Sequence, residues 1–169
     1  MAQSMSQFAA SFDYEAHQRR MAQHGQKANA EAETRRAAQK PKRSRKATIS
    51  EHEHQCAVIK WAQDQHNLGR MPGINLLFAI PNGGLRGKGT AGKLRAEGVL
   101  AGVSDLFLPV ARRGFHGLFL EMKSETGKPT ELQMEFQLAV EDQGYCASVA
   151  FSASDAITIL EWYYAEAER

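Results

Sequence analysis

The chain has 169 residues, with 21 Lys+Arg against 19 Asp+Glu for a formal charge of +2, and 43% hydrophobic residues. This suits one domain plus a tail and excludes two full cores; no apolar run approaches the ~18 residues of a membrane span. The two cysteines, Cys56 and Cys146, exclude a disulfide framework or a Cys-rich zinc site and fit a reducing compartment. The N-terminus lacks the apolar core of a secretion signal, so a cytoplasmic location is expected, in a bacterium or a phage-infected host.

Charge is unevenly spread. Residues 1–48 hold ten basic and four acidic side chains, a net +6, which leaves −4 on the rest of the total of +2. Between Ala28 and Ala47 there is no large apolar residue. Such a segment buries too little surface to offset its ordering entropy, so residues 1–48 read as a basic arm and 49–169 as the folded domain. The arm's Arg43, Arg45 and Lys46 suit phosphate backbones, the alternative being a merely solubilising linker.

Ser50 and Glu53 have capping-box spacing and open a helix through about Asn67, with Val58, Trp61 and Ala62 on its apolar side. Leu76–Ile80 reads as a short buried strand, broken by Pro81-Asn82-Gly83-Gly84. A short helix spans Thr90–Glu97. Asp105–Val110 and Gly117–Lys123 read as strands joined by a turn at Arg112-Arg113-Gly114. A helix follows over Thr130–Gln143, then a strand over Tyr145–Phe151 and a last helix from Ser154 to about Ala165.

Gly87-Lys88-Gly89-Thr90-Ala91-Gly92 matches G-x-G-x-x-G. However, the acidic residue expected about 20 positions on would fall at Arg112-Arg113, which argues against a dinucleotide site. A basic Gly-rich loop is the better reading, with Arg86, Lys88, Lys93 and Arg95 meeting phosphates. His52 and His54 stand two apart on a helix and point to different sides, so they do not chelate one ion and read as solvent-facing. Neither cysteine lies in a C-x-x-C, and both read as core or neutral residues.

The stronger signal is acidic. On a strand, Glu121 and Lys123 share a face. If the two central strands form a hairpin, Asp105 comes level with them. Two carboxylates converging at a sheet end repel unless a cation neutralises them, and their hard oxygens suit Mg²⁺ or Mn²⁺. The same residues would also make an ordinary strand-end salt bridge, with Asp105 as a cap.

Asp105…Glu121-Met122-Lys123 resembles the PD-(D/E)XK nuclease signature. More closely, residues 50–164 resemble the VRR-NUC (virus-type replication-repair nuclease) domain in its compact phage and bacterial forms. The pieces that carry this are Glu51…Gln55, Pro81-Asn82-Gly83-Gly84, Ala96–Asp105, Gly117–Lys123, Gln133 and Gly144-Tyr145. Ser104 stands where the family usually has proline. The resemblance implies an α/β restriction-endonuclease-like core, αβββαβ, a mixed sheet flanked by helices, here with an extra C-terminal helix. It implies that Asp105, Glu121 and the backbone carbonyl of Met122 hold a divalent metal, and that Lys123 positions or activates water. Gln133 would line the site, and Glu51 would be the further acid, in preference to Glu53 with its capping role. Asn82 and the basic loop would contact DNA. The implied activity is a Mg²⁺-dependent DNA endonuclease, with four-way or other branched DNA as substrate and a homodimer as partner state. The alternatives are a monomeric flap nuclease or nickase, and a DNA-binding module that keeps the fold without catalysis.

Overall fold

The computed structural model describes residues 15, 16, 19, 49–81, 92–94 and 96–165. Helix α1 (Glu51–Asn67) starts from a full capping box: Ser50 accepts from the Glu53 backbone N–H, and the Glu53 carboxylate accepts from the Ser50 N–H at 2.7 Å. Donation from the Ser50 N–H first, and then from the Ser50 hydroxyl, holds the Glu53 carboxyl below its usual range. A single 3₁₀ turn (Ile74–Leu76) leads into β1 (Phe78–Ala79). Then come β2 (Leu106–Leu108), β3 (Leu118–Met122), α2 (Glu131–Glu141), β4 (Cys146–Ala150) and α3 (Ala153–Tyr164). Residues 92–94 and 96 are helical, within the short helix expected there.

The four strands form one mixed sheet in the order β1-β2-β3-β4, antiparallel except for the parallel β3–β4 pair. Parallel neighbours need a crossover, and α2 supplies it. Strand alternation divides the side chains between two faces. Leu106, Leu108, Leu118, Leu120 and Met122 pack into the main core with Val58 and Ala62 of α1 and Ile159 and Tyr163 of α3. The opposite face carries Phe107 stacked on Phe119 at 4.3 Å, and Phe119 meets Phe136 of α2 edge-on. The sheet is therefore a middle layer, with α1 and α3 on one side and α2 on the other. Each fully buried leucine contributes about 1.5–3 kcal/mol relative to exposure.

The expected order of elements and the α/β class are those of the structure. Two expectations need correction. Leu76–Ile80 is not a buried strand: Leu76 lies in the 3₁₀ turn, and β1 is an edge strand of two exposed residues. Only Leu77 of that run is buried, and among the described residues β1 has a neighbouring strand on one side alone. His54 is not solvent-facing but 93% buried between α1 and α3 (7% exposed). Its Nδ1 accepts the Ala153 N–H at 3.1 Å, which supplies a partner for a donor at the start of α3. Of the cysteines, read as core or neutral, Cys146 is core and Cys56 is exposed.

Candidate active site

The β2–β3 hairpin sets the site. Its register pairs Leu106 with Leu120, which brings Asp105 level with Glu121 at the open end, on the sheet face covered by α2. Asp105 Oδ2 accepts the Met122 N–H at 2.9 Å, so the strand that carries Glu121 also fixes the aspartate. Lys123 Nζ donates to Glu121 Oε1 at 2.6 Å, and the Gln133 side-chain amide donates to the same oxygen. Gln133 is in place because Thr130 caps α2: its hydroxyl accepts the Gln133 N–H, and its own N–H donates to the Gln133 side-chain Oε1. Glu51, in the first turn of α1, reaches across the sheet end to accept the Ser124 N–H at 3.1 Å.

The approach to Asp105 depends on Gly102. Its φ is +88°, and a Cβ there would lie 2.4 Å from the Leu132 carbonyl oxygen. Only glycine takes that backbone shape at that separation. The turn before Asp105 is thereby seated against the first turn of α2, one residue from Gln133. Ser104, in the position that proline usually takes in the resembled family, is fully buried, and its hydroxyl has no hydrogen-bond partner.

Electrostatically the centre is incomplete. Glu121 is 1% exposed. Burial pushes its carboxyl up to about 7; Lys123 opposes the shift, and Asp105 adds to it by repulsion and by a hydrogen bond that favours the protonated form. Oε1 has two donors, whereas Oε2 is buried and meets no donor. A buried orphan carboxylate oxygen costs several kcal/mol unless something positive meets it. The donor set is hard oxygen, which fits a divalent cation of the Mg²⁺ class. No cluster of three or more His, Cys, Asp or Glu side chains occurs among the described residues, so two carboxylates would be the side-chain ligands.

Of the residues singled out from the sequence, the fold gathers Asp105, Glu121, Met122, Lys123 and Gln133 in one hydrogen-bonded group, with Glu51 on the adjoining Ser124. Lys93 is exposed and pairs with Glu97 at 4.0 Å. Asn82, Arg86, Lys88, Arg95, Arg43, Arg45 and Lys46 lie outside the described residues. Sequence reasoning missed His54, whose partner is 99 positions away. It also missed the contact between Cys56 and His52, although their i,i+4 spacing was a readable signal.

A solved structure described as a VRR_NUC domain protein matches with a TM-score of 0.59 and 30% identity, over 69% of this chain and 89% of that one. The chain belongs to the VRR_NUC family. No family model matches it by sequence, and no curated protein does. As a VRR_NUC domain, it has the mixed four-stranded sheet with flanking helices expected of this nuclease fold. No helix among the described residues is long and apolar enough to cross a membrane.

Proposed function

We propose that this VRR_NUC domain is a metal-dependent DNA endonuclease whose centre is Asp105, Glu121 and Lys123. The observation that carries the reading is the buried Glu121 Oε2, unpartnered beside a second carboxylate on one sheet end. Asp105, Glu121 and the Met122 carbonyl would hold a Mg²⁺ ion, with Mn²⁺ as a substitute. When bound, such an ion supplies Lewis acidity toward a phosphodiester and makes water a better nucleophile at neutral pH. The chain's own groups do the rest. Lys123 places an ammonium where negative charge grows on a phosphoryl oxygen. Gln133, held by the cap of α2, fixes the orientation of the Glu121 carboxylate. Glu51, anchored on the Ser124 N–H, presents an acid that can orient water.

The arm at 1–48 and the basic loop through Arg86 and Lys88 would supply phosphate contacts that read DNA shape rather than base sequence. The substrate would be branched DNA. A symmetric four-way junction calls for two coordinated cuts, and hence a homodimer. The deciding assay is cleavage of four-way, flapped and linear DNA in Mg²⁺ by wild type and Asp105→Ala. Metal-dependent cutting strongest on branched DNA and absent in the variant is expected; equal cutting by the variant would sink the assignment. A single nick or flap cut by a monomer, judged by solution mass, would shift the reading to a flap nuclease or nickase. A second reading, a non-catalytic DNA-binding module, draws on the pairing of Lys123 with Glu121 and of Asp105 with the Met122 N–H. Salt-sensitive binding without cutting would favour it.

A further inference from the structure

The outer face of α1 carries a pair of soft donors that the nuclease reading does not use. Cys56 and His52 are one helical turn apart, both exposed, and Cys56 Sγ lies 3.6 Å from His52 Nε2. They border a hollow of about 250 Å³, lined also by Gln55, Ile59, Lys60 and Gln63. Lys60 is drawn away to Asp64 at 3.2 Å, so its positive charge is partly compensated.

The distance has a chemical meaning. Zinc–sulfur and zinc–imidazole bonds of about 2.3 and 2.0–2.1 Å, set at a tetrahedral angle, hold S and N about 3.5–3.6 Å apart. The two side chains already span that edge on a rigid helix, so little reorganisation is needed to close a chelate. A thiolate with an imidazole selects thiophilic ions over Mg²⁺, whereas the hard oxygens of Asp105 and Glu121 accommodate Mg²⁺.

We propose that His52 and Cys56 form a bidentate site for a thiophilic divalent cation such as Zn²⁺, separate from the carboxylate centre and independent of its catalytic reading. On binding, the Cys56 thiol releases its proton to solvent, and the sulfur and Nε2 lone pairs bond to the ion. With two protein donors, the remaining positions go to water, which makes the site open and exchangeable. α1 would then carry a soft donor pair on its outward face, apart from the hard-oxygen centre on the sheet.

Co²⁺ is the probe, because sulfur–Co²⁺ charge transfer absorbs in the near ultraviolet and oxygen ligands give no such band. Cys146 is 0% exposed and silent, which leaves Cys56 as the accessible thiol. Titration of the full chain should give a saturable sulfur band that Zn²⁺ displaces. Cys56→Ser should abolish it, and His52→Ala should weaken binding roughly a hundredfold, as loss of a chelating arm predicts. Asp105→Ala should leave it unchanged. Both Cys56 and His52 are exposed, and circular dichroism checks that the variants fold. No sulfur band by about 1 mM Co²⁺ in wild type, where affinity would be only about 4 kcal/mol, overturns the site. Equal affinity in His52→Ala does the same.

Discussion

At the turn end of the β2–β3 hairpin, Tyr163 donates to the Val110 carbonyl at 2.8 Å, and Arg113 donates to the Ala165 carbonyl at 3.2 Å. Arg113 also lies over the Trp162 ring at 4.7 Å, and Arg112 lies over Tyr164 at 5.0 Å. At the open end, the same two strands bring together Asp105, Glu121 and Lys123 and leave Glu121 Oε2 buried and unpartnered. One end matches its charges with ring faces and carbonyls; the other crowds two carboxylates beside one ammonium. The first arrangement stabilises the hairpin. The second costs stability, and a protein keeps such a cost where chemistry needs it.

The sharpest way to break the contrast is at the open end. Asp105→Ala and Glu121→Ala should reduce Mg²⁺-dependent cleavage to background while the fold persists by circular dichroism. Lys123→Ala, which removes a charge rather than a ligand, should lower single-turnover cutting about 10²–10³-fold. If Lys123→Ala cuts like wild type, the two ends do not differ as described.

Stability should move the opposite way at that end. The Glu121 carboxyl is raised from 4.5 to about 7 in the folded state. Between those values the folded chain binds a proton that the unfolded chain has released, so stability falls as pH rises through the window. The loss is on the order of 3 kcal/mol in metal-free protein. Urea unfolding in EDTA should therefore give a lower midpoint at pH 8 than at pH 5. Glu121→Gln should flatten that slope, and Mg²⁺ should restore wild-type stability at pH 8. A flat wild-type profile would contradict the burial cost assigned to Glu121.

The turn end should respond in stability alone. Tyr163→Phe leaves the Val110 carbonyl without its donor and should cost about 1–2 kcal/mol with cutting unchanged. Arg113→Ala should cost less, about 0.5–1 kcal/mol, for an exposed ring contact. Denaturant titration with a parallel cleavage assay measures both; a cleavage defect in either would tie the ends together.

Much of this was readable in the chain. The alternation from Leu118 to Met122 and the turn at Arg112-Arg113-Gly114 imply a hairpin, and the hairpin's register follows from which residues must be buried. Glu51 separates from Glu53 because a capping box occupies one of two nearby acids. What local pattern does not report is the identity of a distant partner. His54 reads as polar and exposed until Ala153 arrives with an unsatisfied N–H. Phe78 reads as buried until β1 proves to be an edge. The Glu121–Lys123 pair was legible as a contact, but the orphaned second oxygen depends on how closely α2 covers the sheet.

The site's hydrogen bonds close loops of very different length: 12 residues from Glu121 to Gln133, 17 from Asp105 to Met122, and 73 from Glu51 to Ser124. The His54–Ala153 link that seats α1 closes 99. Short loops close at lower entropic cost and sooner. The hairpin carboxylates should therefore meet early in folding, and Glu51 should join them only when α1 docks on α3. Recovery of cleavage during refolding should then follow the burial of Trp162 on α3, not the first protection of hairpin amides. Cutting ability would belong to the finished chain, and a partly folded one would carry the charges without the activity.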